Sequence, residues 1–280
     1  MSQKSKKVSP HKDSIKKAAD IVIAGGLIVF PWGNLERKCF AFMCDSKNVK
    51  ACQRLNSIKT RSKNQVLAVN GYPELIQDIA KIEKSQPLMA AAKRLGIDPV
   101  KVLEMCMKAG AISFIFEARG HLPKTVTQKN GYKITVMVAG EIDYRSDFDF
   151  YTELVKYLHL KGITTAGSSA NRTQEGTNYL FEQEKVFDDL IRDIDLFVYH
   201  DPLPKKPLYA INLESCTTFN MMVEGEYPEV FRFGSVHPDR FKKIFGNYTI
   251  SDKAKYLPRH EKPLHKWIKI PLYLLSRRSI

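Results

Sequence analysis

Apolar residues recur along this chain at two spacings, one helical and one extended, and the two alternate from end to end. From Asp13 onward Ile15, Ala18, Ala19 and Val22 share a helical face, and Gly25-Gly26 supplies a stop. Residues 27–30 read as a buried strand ended by Pro31. A helix over about 47–57 carries Val49, Cys52 and Leu55 on one face, followed by a strand at 66–69 and a helix at 73–82. Residues 87–109 form two short helices parted by Gly96-Ile97-Asp98-Pro99. Apolar segments 113–117 and 134–138 flank the turn-like Lys129-Asn130-Gly131. A helix over 148–160 leads through Gly162 to a strand at 163–165, and a last helix over 184–192 precedes apolar runs at 196–199, 208–213 and 230–233. Helices alternating with short apolar runs imply an α/β domain with a mixed sheet. The polar residues 1–12 carry no such pattern and read as a disordered tail.

Composition adds little until charge is located. Hydrophobic content of 44% and charged content of 26% are ordinary for a globular chain of 280 residues. The formal net charge is +14, but residues 1–18 hold six Lys/Arg against one acidic residue, and 237–280 hold eleven against three. The basicity therefore sits in the two ends, which divides the chain into a tail (1–12), a near-neutral domain (13–236) and a basic extension (237–280). Such ends fit two readings, solubilising termini or phosphate-neutralising contacts to nucleic acid or anionic lipid. No apolar run reaches bilayer length, and the amino terminus lacks the apolar segment of a secretory signal. Five cysteines without C-x-x-C spacing fit reduced thiols, so the expected location is cytoplasmic. There is no G-x-x-x-x-G-K-[ST], G-x-G-x-x-G, H-E-x-x-H or G-x-S-x-G sequence, and the scattered histidines give no zinc spacing.

Two clusters remain as candidate chemistry. In the first, Lys59 and Arg61 sit in a loop between a helix and a strand, where a point charge and a bidentate fork can converge on one polyphosphate. Read as exposed loop cations, they contribute little to folding. The second, Thr164-Thr165-Ala166-Gly167-Ser168-Ser169-Ala170-Asn171, follows a strand with small hydroxyl residues and an amide. It fits either a serine-rich turn or a donor cradle for phosphate or ribose.

Taken in order, these clusters resemble the YrdC domain family, which includes threonylcarbamoyl-adenylate synthases and the carbamoyl-adenylate domains of hydrogenase-maturation carbamoyltransferases. The family's opening helix, Gly-Gly, strand and Pro is matched by residues 18–31, its K-x-R loop by Lys59 and Arg61, and its S-A-N motif by Ser169-Ala170-Asn171. Its S-T segment is approximated by Cys216-Thr217-Thr218, and its R-x-G by Arg232 and Gly234. The resemblance spans about residues 14–236. It implies a twisted mixed sheet with an open concave nucleotide-binding groove, and a nucleotidyltransferase that forms a carbamoyl-adenylate from ATP with Mg2+, in the pathway of tRNA threonylcarbamoyladenosine modification. Lys59, Arg61, Ser169, Asn171, Thr217 and Arg232 would then bind the nucleotide, and Trp32, Arg37 and Asn70 the acceptor, a small amine or amino acid carboxylated by bicarbonate.

The acceptor side departs from the family. The T-[DE]-T-x-Y-G-L stretch after the strand-ending Pro is replaced by a longer segment from Trp32 to Phe42, with Phe40 in the tyrosine's place. That segment fits a new acceptor pocket, with Trp32 as an exposed apolar wall and Arg37 or Lys38 supplying charge, or a drifted surface hairpin. The family's V-R-x-P appears as Val136-Met137-Val138-Ala139, without its arginine. A rival use of the same domain is RNA binding without catalysis, through the basic ends and the aromatics Phe241, Phe245, Tyr248, Tyr256, Trp267 and Tyr273 interleaved with Lys and Arg. The stretch 267–275 is apolar enough to pack on the domain instead.

Overall fold

The computed structural model describes residues 7–9, 11–34, 37–109, 112–128, 131–138, 150–170, 183–199, 216–234 and 236–255. Helix α1 (Lys12–Ile23) buries Ile15, Ala18, Ala19 and Val22, the face its periodicity predicts. It ends where Gly25 takes φ +85, a left-handed turn that glycine adopts without Cβ strain, and Gly26 N–H closes back onto Ile21 O.

The next strand runs past its proline. β2 (Ile28–Asn34) pairs antiparallel with β3 (Arg37–Asp45) along its whole length, with Pro31 opposite Phe40. On the other side the described pairing of β2 stops at Val29, so Pro31 interrupts no described ladder there. The segment 32–42 is therefore hairpin backbone. Trp32 is 7% exposed, a buried ring rather than the exposed wall expected.

After β3 come α2 (Val49–Ile58), β4 (Ala68–Gly71), α3 (Pro73–Ile79), α4 (Gln86–Leu95) and α5 (Pro99–Ala109). α2 buries Cys52 and Leu55 as expected, but Val49 in its first turn is exposed. The chain continues through β5 (Ile112–Glu117), β6 (Thr127–Gln128), β7 (Lys133–Val138), α6 (Phe150–Leu160), β8 (Thr165–Ser169), α7 (Gln183–Leu190) and β9 (Leu196–Val198). β10 (Thr217–Asn220), β11 (Glu229–Arg232), α8 (Lys242–Phe245) and β12 (Thr249–Lys255) complete the described elements. The expected run at 208–213 lies outside the described residues.

One mixed sheet, large and twisted, takes the order β1-β9-β2-β3-β8-β4-β7-β5-β10-β11-β12, with β6 beside β7. Its first member, β1 (Lys7–Val8), pairs parallel with β9, so part of the expected disordered tail is a strand. Residues 238–255 likewise pack on the domain. Phe241, Ile244 and Phe245 are buried, both rings meet Phe219, and β12 pairs with β11. Phe241 and Phe245 are thus core residues rather than stacking platforms, while Tyr256, Trp267 and Tyr273 lie outside the described residues. Among the described residues no helix is long and apolar enough to cross a membrane.

The two faces of the sheet differ in chemistry. Register aligns Val69, Val136, Phe114 and Phe219 in one row across β4, β7, β5 and β10, and all four are buried. The neighbouring row, on the opposite face because side chains alternate, runs Asn70, Ser113, Thr218 and Arg232, linked in register through β7. At the sheet's other end α6 covers β2 through Tyr151, whose ring stacks on Phe30 at 5.6 Å. Its buried hydroxyl accepts from Gly71 N–H and donates to Gly71 O, each at 2.9 Å. Tyr151→Phe strips both bonds from a buried backbone, so unfolding stability should fall by about 1–3 kcal/mol in urea denaturation.

Candidate functional site

Helix α2 aims its last turn at the site. Asn48 caps its start by accepting from Ala51 N–H at 3.0 Å. Arg54 anchors it sideways, bridging to Asp195 at 2.7 Å, and the same carboxylate accepts from Leu27 N–H at 2.8 Å. Beyond Ile58 the chain turns sharply. Thr60 has φ 52, and no other described non-glycine residue has positive φ, so backbone strain is concentrated between the two candidate cations. Buried Asn56 staples the loop by donating to Lys63 O at 3.2 Å and Gln65 O at 2.7 Å. Sequence reasoning missed Asn56, because an asparagine in an amphipathic helix looks like surface.

The turn drives Lys59 inward. Its side chain is fully buried, and Nζ donates to Ser169 O at 2.6 Å and to Ser169 Oγ at 3.3 Å. This corrects the expectation of an exposed loop cation. Burial, with a lesser contribution from the Arg61 charge, pulls the Lys59 amine down from 10.5 to about 7. Arg61 Nη1 donates to Ser168 Oγ at 3.3 Å, and its own pKa is lowered by burial first and then by Arg232. Arg61 therefore lies within electrostatic reach of both its loop neighbour Lys59 and the sequence-distant Arg232.

β8 brings the hydroxyls. Ser168 and Ser169 belong to the strand itself rather than to a turn after it, held by β3 with Ala41 opposite Ser169 and Phe42 opposite Ser168. Asn171 lies outside the described residues, and so does the side chain of Arg37, which the backbone places opposite Asn34. Arg232 at the end of β11 donates from Nε to Cys216 O at 3.2 Å and from Nη2 to Cys216 Sγ at 3.5 Å. Thr217 sits behind it, fully buried. Its hydroxyl donates to Val236 O and accepts from Gly234 N–H, so it holds the Arg232–Gly234 turn. Trp32 is buried in the hairpin.

Asn70 lies on the polar row, wholly buried, and neither Nδ2 nor Oδ1 has a hydrogen-bond partner. The hydroxyls of buried Thr165 and Thr218 are also unpartnered. Gly167 makes room for the amide: a Cβ there would meet Asn70 Nδ2 at 2.6 Å, Asn70 Oδ1 at 2.7 Å and Phe42 O at 2.8 Å. Ser113 gave no signal in sequence, since a lone hydroxyl in an apolar strand is common, and only register shows that it aligns with Thr218 of the Cys216-Thr217-Thr218 segment. The arrangement supplies a cationic cluster beside hydroxyl donors, the chemistry of anion recognition.

A model of the Sua5/YciO/YrdC domain, described as telomere recombination, matches residues 20–208. No curated protein matches the sequence. Among solved structures, P. abyssi Sua5 complexed with L-threonine is similar at 17% identity and TM-score 0.59, over 88% of this chain and 61% of that one. E. coli YciO aligns at 16% identity and TM-score 0.56, over 84% of this chain and 97% of that one. A hypothetical protein from Streptococcus mutans reaches TM-score 0.63 at 14% identity, over 90% and 98%. The chain thus spans about three fifths of the Sua5 structure's length and nearly all of the other two. At these identities the likeness is one of fold.

Proposed function

The chain belongs to the Sua5/YciO/YrdC family, and from that premise we propose that it forms a carbamoyl-adenylate from ATP and an N-carboxylated amine. The observation that carries this reading is the buried Lys59 amine on Ser169, with Arg61 and Arg232 beside it. A desolvated amine next to the Arg61 guanidinium, which itself feels Arg232, is unfavourable to protonate until an anion arrives, so the cluster is poised for a ligand rich in negative charge.

Bicarbonate and an amine condense to the carbamate with loss of water, and a carbamate oxygen attacks the α-phosphorus of ATP. The bond to the β,γ-unit breaks, and pyrophosphate leaves with its electron pair. Lys59 and Arg61 neutralise the triphosphate, Ser169 and Asn171 orient phosphate or ribose, and Arg232 completes the pocket while Thr217 positions it. Positioning and charge suffice, and no covalent enzyme intermediate forms. Magnesium fits as a companion of the nucleotide. Among the described residues no three His, Cys, Asp or Glu side chains cluster to cage an ion, and this ion commonly rides on phosphate oxygens with few protein ligands.

The test is pyrophosphate release from ATP·Mg2+ that requires both bicarbonate and an amine, run over a panel of amino acids and simple amines. Turnover without bicarbonate, or no ATP binding at all, sinks the proposal. A proton signature accompanies binding. Phosphate beside Lys59 raises its pKa from about 7, so at pH 8 binding takes up a proton. ATP affinity should fall by up to about tenfold per pH unit as pH rises above 7, until the bound-state pKa is passed. Titration calorimetry in two buffers of different ionisation enthalpy reads the uptake directly, and identical heats in both would contradict it.

A further inference from the structure

Asn56 sits on the buried face of α2, beside Leu55 and Ile58, and is 1% exposed. An apolar side chain would suit that face at lower cost, because Oδ1 is buried without a hydrogen-bond partner. What the residue supplies instead is a grip on the loop that follows. Its backbone oxygen accepts from Arg61 N–H at 2.9 Å, while Nδ2 donates to Lys63 O at 3.2 Å and to Gln65 O at 2.7 Å. The loop so gripped contains the strained turn. Thr60, a residue with a Cβ, stands at φ 52, and such a conformation persists only where its surroundings over-determine it. The bonds of Thr60 itself are local, N–H to Ser57 O at 3.0 Å and hydroxyl to Lys59 O at 2.7 Å. Those of Asn56 tie the turn to the far end of the loop.

We propose that Asn56 is a positioning residue for anion binding, holding the Thr60 turn so that Lys59 reaches Ser169 and Arg61 reaches Ser168. The donor atom Nδ2 carries this role. Without it Lys63 O and Gln65 O lose the partner that they share, the end of the loop is released, and Thr60 relaxes to negative φ. The turn at Thr60 has a cation on either side of it, so the relaxation moves both Lys59 and Arg61. Water then hosts the Lys59 ammonium better than the interior does, where burial and the Arg61 charge lower its pKa to about 7. Asn56 acts through the loop backbone and does not meet the ligand, so its own burial is no obstacle. That these cations serve ATP rests on the carbamoyl-adenylate reading, whereas the link from Asn56 to their placement does not.

The experiment compares the full wild-type chain with Asn56→Leu, which keeps the branched shape and removes the donors, and with Asn56→Leu/Thr60→Gly. ATP·Mg2+ affinity, read by titration calorimetry at pH 7, should fall about tenfold in Asn56→Leu, the loss of one well-placed charged contact. In chains carrying carbon-13 at lysine Cε, the Lys59 signal is identified by its loss in Lys59→Met. It should titrate near pH 7 in the wild type and move toward 10.5 in Asn56→Leu. Glycine takes positive φ without strain, so Thr60→Gly should restore the low midpoint and most of the affinity in the double variant. A packing role for Asn56 predicts neither the move nor the rescue. An unmoved Lys59 midpoint in Asn56→Leu, or no recovery with glycine, would overturn the proposal. Where Asn56→Leu does not fold, Asn56→Ser, too short to reach both carbonyls, is read in the same way. A wild type that binds no ATP removes the nucleotide reading, and the lysine titration still decides the role of Asn56.

Discussion

Replacing Lys59 by methionine should weaken ATP·Mg2+ binding roughly 10- to 100-fold and at the same time stabilise the protein. The two effects have one origin. The amine is fully buried and held down to about pKa 7 by desolvation, with the Arg61 charge adding to it. A bound polyphosphate offsets that cost, and nothing in the methionine variant replaces the charge-assisted contact. The stability gain has a pH signature whose sign follows from linkage. Lys59 has a folded pKa below its unfolded value of 10.5, so its penalty is full below about pH 7 and is relieved as pH rises toward 10.5. The methionine variant should therefore exceed the wild type most at pH 6, with the gap closing by pH 10. Calorimetric titration and thermal melts at the two pH values measure both. A variant that loses stability at pH 6 while keeping its ATP affinity would make Lys59 a structural residue.

The second large effect is expected at Gly167. Valine there places carbon within 2.6–2.8 Å of the Asn70 amide and the Phe42 carbonyl, and a backbone carbonyl in a paired strand cannot step aside. Overpacking of this kind costs about 1–3 kcal/mol. In a chain of this length that is a fall in melting temperature of roughly 2–4 °C for each kcal/mol. β8 must shift to relieve the contact, and it carries Ser168 and Ser169, so nucleotide affinity should fall together with stability. Gly120→Val is the matched control, because a Cβ added there meets nothing within 4 Å. Equal effects at the two glycines would mean that the approach of Asn70 to β8 is not tight in solution.

Much of the fold was legible because helices encode themselves locally. Ile15, Ala18, Ala19 and Val22 recur at the spacing of one face, and all four are buried in α1. The parting of α4 from α5 was equally plain, since Gly96 takes a left-handed cap and Pro99 opens the next helix. The order of short motifs was enough to place the chain in its family. Strand edges were less legible. Nothing within residues 27–34 says that β3 will carry the strand past Pro31, because the partner that decides it lies further along the chain.

The sequence by itself determined the alternation of elements, the family, and which residue types were available for anion recognition. Tertiary structure alone decided what those residues became. Thr60's positive φ sends Lys59 into the interior, changing an ordinary loop cation into a buried amine of shifted pKa. Register across five strands, running from Asn70 on β4 through β7, β5 and β10 to Arg232 on β11, 162 positions later, gathers Asn70, Ser113, Thr218 and Arg232 on one face. Packing of Phe241 and Phe245 against Phe219 turns part of a basic extension into core. The physical reason is common to all three. Helical periodicity is a property of neighbours in sequence, whereas burial of a charge and alignment of a sheet row depend on surfaces that meet only when the chain has folded.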